Sequence, residues 1–262
     1  MAQRNIAAAL PELSRNERVR LLAESVDALG CNLYDALTIE RFAVRDFENV
    51  AGEPTLAAIR ALRHEGRGVL ILTGHLGCWE LLGAYLASRL DGIAVVTGTI
   101  HNVPVDQLIQ SRRRRLGMMA LPREGDLRPL LRCLREGGVV AVLMDQNTRV
   151  PNVDVPFFGL PAPTAVGFAK LAVRYGVPVL PVAISRRGRG HEVAHLPPLS
   201  PPAGASPEQL CAFLTRCNAA LEKLIRRNLN EWVWFHERWP RVGRDRGAMA
   251  GSDRRILEQR SP

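Results

Sequence analysis

A histidine and a glutamate five positions apart, His75 and Glu80, stand in the stretch Thr73-Gly74-His75-Leu76-Gly77-Cys78-Trp79-Glu80. An imidazole held at one ring nitrogen by a carboxylate keeps its other nitrogen free to take a proton. The pair therefore has the parts of a general base, His75, and its orienting partner, Glu80. A histidine satisfied inside a structural turn is the competing reading, and this spacing alone does not separate the two. Cys78, between them, reads as a small packing residue at a helix start rather than as a nucleophile.

Three further segments carry residues with chemical potential. Gly117-Met118-Met119-Ala120-Leu121-Pro122-Arg123 puts Arg123 just past a short strand, where a guanidinium can clamp a phosphate with two bonds. A solvated surface arginine is the alternative there. Leu143-Met144-Asp145-Gln146-Asn147-Thr148-Arg149 ends an apolar strand in five polar residues, more than a turn needs for folding. Val155-Pro156-Phe157-Phe158-Gly159-Leu160-Pro161-Ala162-Pro163-Thr164 reads as an apolar, proline-rich loop ending at a helix cap, Thr164. Its two phenylalanines either line an acyl channel, touch lipid, or pack beneath the loop.

The elements around these residues say where they sit. Val69-Leu70-Ile71-Leu72 is short, branched and uniformly apolar, the pattern of a buried strand, and 81–90 is helix-forming. His75 thus falls on the turn after a strand and Glu80 in the first turns of a helix, where open α/β sheets place their chemistry. Upstream, Ser14-Arg15-Asn16-Glu17 is a capping box, and Val19, Leu22, Val26, Leu29, Leu33 and Leu37 recur at helical steps, reading as a long amphipathic helix or a close pair. Pro54 opens another helix and Gly66 closes it.

Downstream, strands are expected near 68–73, 93–97, 118–121, 139–144, 177–184 and 191–196. Helices are expected near 78–89, 104–116, 126–136, 164–175 and 206–228. The alternation predicts a single α/β domain over 1–242, with a mainly parallel or mixed central sheet covered by helices and an N-terminal helical layer over 1–50. Residues 243–262 lack apolar periodicity and read as a disordered tail.

Composition narrows the partners. The 262 residues carry 35 Lys+Arg against 26 Asp+Glu, a net charge of +9, and Lys170 and Lys223 are the only lysines. Such an excess suits nucleic acid, anionic lipid headgroups or an acidic carrier protein. Five cysteines without a CxxC spacing argue against a zinc site and a disulfide framework. No stretch approaches the ~18 apolar residues of a spanning helix, and there is no charged-then-apolar leader, so the chain is expected to be soluble or peripheral. Trp232, Trp234 and Trp239 read as core packing beneath the last helix, with interfacial anchoring as the alternative, and His236 as structural.

Taken in order, these segments resemble the glycerolipid acyltransferase superfamily. His75/Glu80, Gly117/Arg123, Asp145/Arg149 and Val177-Pro178-Val179-Leu180-Pro181-Val182 fall where that superfamily has its four blocks. The wording His-Leu-Gly-Cys-Trp-Glu, the Asp145-Gln146 pair, Pro-Phe-Phe-Gly-Leu-Pro-Ala-Pro-Thr and the closing Trp232-Val233-Trp234-Phe235-His236-Glu237-Arg238-Trp239 narrow it. They are similar to the bacterial lipid A biosynthesis (late, secondary) acyltransferases and their glycolipid relatives. Asn5 to Ser14 also matches that family's wording just after its membrane anchor, and the resemblance runs to about residue 240.

The resemblance implies a glycerolipid-acyltransferase-like fold and an O-acyltransferase. The donor would be a fatty acyl thioester on acyl carrier protein or CoA. The acceptor would be a hydroxyl of a lipid A precursor or related glycolipid, with another phospholipid or glycolipid as the alternative. His75 would be the base and Glu80 its partner, with Arg123, Arg115, Asp145, Arg149 and Thr164 binding substrate. Direct attack by the acceptor needs no enzyme nucleophile, in keeping with the missing Gly-x-Ser-x-Gly elbow. No cofactor and no metal are expected, and the protein would sit peripherally on the anionic cytoplasmic face of the bacterial inner membrane.

A nucleic-acid-binding module is the reading from another class, carried by Arg112-Arg113-Arg114-Arg115 and the net charge. The usual recognition motifs are absent, and no nucleic-acid partner is expected. A serine or metal hydrolase would need the elbow or His-Glu-x-x-His, so hydrolysis enters only as a side reaction of the acyl donor.

Overall fold

The computed structural model describes residues 1–63, 67–98, 100–123, 126, 128–147 and 150–240. Three helices open the chain, α1 (Ala2–Ala9), α2 (Arg15–Leu37) and α3 (Glu40–Val44), followed by β1 (Val50–Ala51) and α4 (Glu53–Arg63). Next come β2 (Val69–Thr73), α5 (Trp79–Arg89), β3 (Ile93–Thr97), α6 (Val103–Arg115), β4 (Met118–Pro122), α7 (Arg128–Arg135) and β5 (Val139–Leu143). β6 (Asn152–Phe157), β7 (Leu160–Ala165), α8 (Gly167–Tyr175), β8 (Val179–Arg187), β9 (Gly190–His195) and α9 (Pro207–Arg226) complete the regular elements, with a short 3-10 turn at Leu229–Glu231.

Seven strands form one mixed sheet in the order β1-β9-β8-β2-β5-β3-β4, parallel throughout except where β9 runs antiparallel to β8. The expected α/β architecture with N-terminal helices is what the chain adopts. β2 has neighbours on both edges and helices on both faces, which is why its five residues are all buried and its sequence is apolar without alternation. Val69 and Ile71 face a layer built by α4 and α5, while Leu70 and Leu72 face α7, α8 and α9.

That alternation has a consequence for the site. The connection after β2 leaves through α5 on one face, and the connection after β5 leads to α8 on the other. β2 and β5 are adjacent, paired in parallel from Val69↔Val139 to Thr73↔Leu143. Their C-terminal ends therefore part in opposite directions and open a crevice between them, the topological switch point of an open α/β sheet. His75 follows β2 and Asp145 follows β5.

Two segments differ from the sequence expectation. The stretch expected to be a loop is a hairpin, β6 paired with β7 from Asn152↔Ala165 to Phe157↔Leu160. Phe158 and Gly159 form its two-residue turn, both with positive φ (52° and 72°), as a tight right-twisted hairpin requires. Its prolines are tolerated because a two-stranded ribbon is all edge. The hairpin lies along α9, where Asn218 Nδ2 donates to Pro156 O at 3.1 Å and to Thr164 Oγ1 at 3.2 Å.

The second difference is α2. Amphipathic helices ordinarily turn the apolar stripe inward. Here Leu21, Ser25, Asn32 and Asp35 are the buried residues, whereas Val19, Val26, Leu33 and Leu37 are each more than half exposed. The polar inward face is held by specific bonds. Ser25 Oγ donates back to Leu21 O at 2.7 Å, and Asp35 accepts from the Arg186 guanidinium and pairs with His191 Nε2 at 3.1 Å.

Candidate active site

The turn after β2 is shaped by two glycines. Gly77 has φ +60°, and a Cβ there would stand 2.2 Å from Ile184 O, so no other residue fits without moving the turn. At Gly74 a Cβ would lie 2.9 Å from Asp145 Oδ2, so the missing side chain is what admits the carboxylate.

Asp145 is buried and its carboxylate is held at three points, two of them on His75. His75 Nδ1 lies 2.8 Å from Oδ1, and the His75 backbone N–H donates to Oδ2 at 2.7 Å. The indole Nε1–H of Trp232 also donates to Oδ2, at 2.8 Å. Burial pushes the Asp145 pKa up, but the neighbouring imidazole and these donors outweigh it and hold the group at about 2. An ionised carboxylate only accepts hydrogen bonds, so Nδ1 of the neutral ring carries its hydrogen and Nε2 keeps a free lone pair. Trp79 packs edge-on against the same ring at 4.9 Å between centroids.

His75 opens onto a cavity of 430 Å³. Val95, Val96, Ile109, Met118 and Leu143 give it apolar walls, and Glu80, Arg113 and Arg123 its charged ones. Glu80 does not orient His75, contrary to the sequence expectation. Its two oxygens accept from the fork of Arg113 on α6, Nε at 3.0 Å and Nη2 in a shorter contact. A planar guanidinium binds a carboxylate at two points, which one imidazole N–H does not match. Asp145, expected to bind substrate, makes the contact with the ring that was expected of Glu80, because β5 rather than α5 brings a carboxylate behind it.

The other expected residues are dispersed. Arg123 is exposed at the rim of the cavity, with its backbone N–H bonded to Thr97 O at 2.9 Å. Arg115 is outside the cavity lining and pairs with Glu40 on α3 at 3.7 Å, as Arg112 does at 3.3 Å. Thr164 is fully buried in β7. Its hydroxyl donates to Ala162 O at 3.0 Å and accepts from Asn218 and Arg238, so it neither caps a helix nor meets the cavity. Arg149 lies outside the described residues, as does the segment 243–262. Among the described residues no group of three or more His, Cys, Asp or Glu is placed to hold a metal ion. Cys78 is buried in the core and its thiol is pushed up to about 12 by that burial, which fits packing and not nucleophilic attack.

Phe157 and Phe158 are buried with Trp232, Trp234 and Trp239 in one aromatic cluster, so they pack under the hairpin. Arg238 closes that cluster, fully buried, with its guanidinium 5.0 Å from the Phe157 ring centroid. Burial pushes its pKa down to about 10.

The bacterial lipid A biosynthesis acyltransferase family matches residues 1–241 of the chain. The chain belongs to that family. It is 26% identical over 243 residues to the lipid A biosynthesis lauroyltransferase of Escherichia coli (strain K12), covering 91% of this chain and 78% of that protein. It is 25% identical over 249 residues to the lipid A biosynthesis palmitoleoyltransferase of the same strain, with the same coverage. It is also 33% identical over 129 residues to the phosphatidylinositol mannoside acyltransferase of Mycobacterium tuberculosis (strain CDC 1551 / Oshkosh), covering 48% of this chain and 41% of that protein. No helix among the described residues of this acyltransferase is long and apolar enough to cross a membrane.

Two parts of this acyltransferase's site escaped the sequence reading. Arg113 was one of four consecutive arginines, with nothing to set it apart. Trp232 and His236 belonged to an aromatic block read as packing. The one available signal was the crowding of tryptophans, which gives no hint that an indole N–H reaches Asp145.

Proposed function

We propose that the protein transfers a fatty acyl group from a thioester, on acyl carrier protein or CoA, to a hydroxyl of a lipid A precursor or related glycolipid. The observation that carries this reading is the His75–Asp145 pair, with Nε2 free beside a cavity that joins apolar walls to Arg113 and Arg123. His75 Nε2 takes the acceptor's proton as its oxygen attacks the thioester carbonyl. The tetrahedral intermediate then collapses, the C–S bond breaks, and the imidazolium returns the proton to the leaving sulfur. Asp145 stays ionised and supports the imidazolium charge. Val95, Val96, Ile109 and Met118 accept the acyl chain, and Arg123 at the rim meets a phosphate or other anionic headgroup.

Glu80 fixes Arg113 across the cavity from His75, so it acts on the shape and charge of the site and not on the ring. The acceptor is a glycolipid in this reading. The mannoside relative keeps a phosphoinositide-type acceptor as its alternative. A nucleic-acid partner is not proposed: Arg112 and Arg115 are paired with Glu40, and Arg113 with Glu80, so most of the arginine run is spent on the fold.

We also assign the outward stripe of α2 to the anionic cytoplasmic surface of the inner membrane. A 70 Å³ hollow lined by Leu29, Leu33, Ala36, Cys78 and Trp79 links that stripe to the helix carrying Glu80, so acceptor lipid would lie beside the cavity. The test is mass spectrometry of lipid products after incubation with acyl carrier protein thioesters and a lipid A precursor. A mass gain of one acyl group is expected with the native protein and none with His75→Ala. Transfer retained by folded His75→Ala protein would overturn the assignment of the base.

A further inference from the structure

The segment from Glu231 to His236 fastens both catalytic loops at once. Gly77 N–H donates to Glu231 O at 3.1 Å and Val233 N–H to His75 O at 3.0 Å, while Leu76 and Trp232 pair as an antiparallel bridge. On the other loop, the backbone N–H of Asn147 donates to His236 Nε2 at 2.7 Å, two residues past Asp145. Between the loops, Trp232 Nε1–H donates to Asp145 Oδ2.

The three C-terminal tryptophans spend their N–H groups differently. Trp234 donates to Leu229 O at 2.8 Å and Trp239 to Phe157 O at 3.2 Å, both backbone carbonyls. A buried indole needs an acceptor, and a carbonyl is enough. Trp232 alone of the three uses the carboxylate behind His75.

We propose that Trp232 is a positioning residue for acyl transfer, the third member of a His75–Asp145–Trp232 relay. With the backbone N–H of His75, it occupies Oδ2 and leaves Oδ1 to the imidazole, so the carboxylate has one orientation. The indole cannot swing away, being stacked on Phe158 at 5.9 Å and edge-on to Trp234 at 4.6 Å. By drawing charge from Asp145 it also limits how strongly the carboxylate holds a proton on His75. This rests on the reading of His75 as the base.

Trp232→Phe keeps an aromatic ring and removes the donor. Trp234→Phe removes a similar volume from the same cluster and leaves Asp145 untouched. Nitrogen-15 histidine NMR reads the tautomer and titration of His75, and turnover is followed against pH. With Trp232→Phe, the His75 titration and the acidic limb of kcat should both move to higher pH. The turnover number should fall about 10- to 100-fold, the worth of one hydrogen bond to a charged group. KM for the acyl donor should hold, since Trp232 does not line the cavity. Trp234→Phe should leave the titration in place.

Equal shifts in both variants, or none in Trp232→Phe, would overturn the relay and leave Trp232 as packing. If Trp232→Phe does not fold, 3-benzothienylalanine at position 232 keeps the bicyclic shape without the N–H and is read in the same way. A shifted titration with unchanged turnover, together with active His75→Ala, would support the contact and overturn the base assignment instead.

Discussion

Two carboxylates lie near one imidazole, and what else reaches them decides their work. Glu80 meets a guanidinium fork and becomes the anchor of Arg113. Asp145 meets two N–H donors and the ring, loses its exposure, and stays ionised. Replacing Asp145 with Asn should therefore cost far more than its isosteric size suggests. An amide at that place favours the wrong ring tautomer and cannot support an imidazolium, so kcat should fall about 10³- to 10⁴-fold. Product formation by mass spectrometry would show this, and a loss under tenfold would remove Asp145 from the mechanism. His75 was legible because the apolar run before it and the helix after it locate a turn at a strand end. The identity of its partner was not. Asp145 is seventy positions away, and only the insertion of β5 beside β2 makes the two neighbours.

Elements were legible where one periodicity ruled and obscure where residues served two demands. β2, β3 and β5 declare themselves as apolar runs because helices cover both faces. The β6–β7 hairpin was hidden by its three prolines, Pro156, Pro161 and Pro163, which mark loops in most contexts and edges in this one. The turn after β2 offers a test of how an element serves the site. Gly77→Ala should destabilise the fold by about 2 kcal/mol or more, since a positive φ and a clash with Ile184 O coincide. Gly74→Ala should act otherwise. Its new methyl meets the Asp145 carboxylate, so activity should drop more steeply than the melting temperature. Calorimetry beside turnover separates the two, and equal loss of stability in both variants would contradict the distinction.

At the scale of the whole molecule, the reversed polarity of α2 sets an apolar band on the outside near the cavity rim. The sequence showed the band and not its direction, because periodicity gives a stripe without saying what covers it. Val26→Gln, Leu33→Gln and Leu37→Gln together should leave thermal stability within a few degrees, since these side chains are exposed. Retention on phosphatidylglycerol vesicles should fall about tenfold or more, as apolar burial in the interface is lost. Unchanged retention would remove α2 from the membrane face. The C-terminal fastening has a different implication, for the order of events in synthesis. Chains emerge N-terminus first and begin to fold as they do. Strands β2 to β5 can pair, and His75 can approach Asp145, long before Trp232 exists. Asn5 of α1 waits as well, since its amide donates to the carbonyls of Trp234 and His236 at 2.8 and 2.6 Å. Helix α1 and the aromatic segment close on each other only once residues 232–236 have emerged, so a nascent chain short of that segment holds His75 and Asp145 without the bonds that fasten their two loops together.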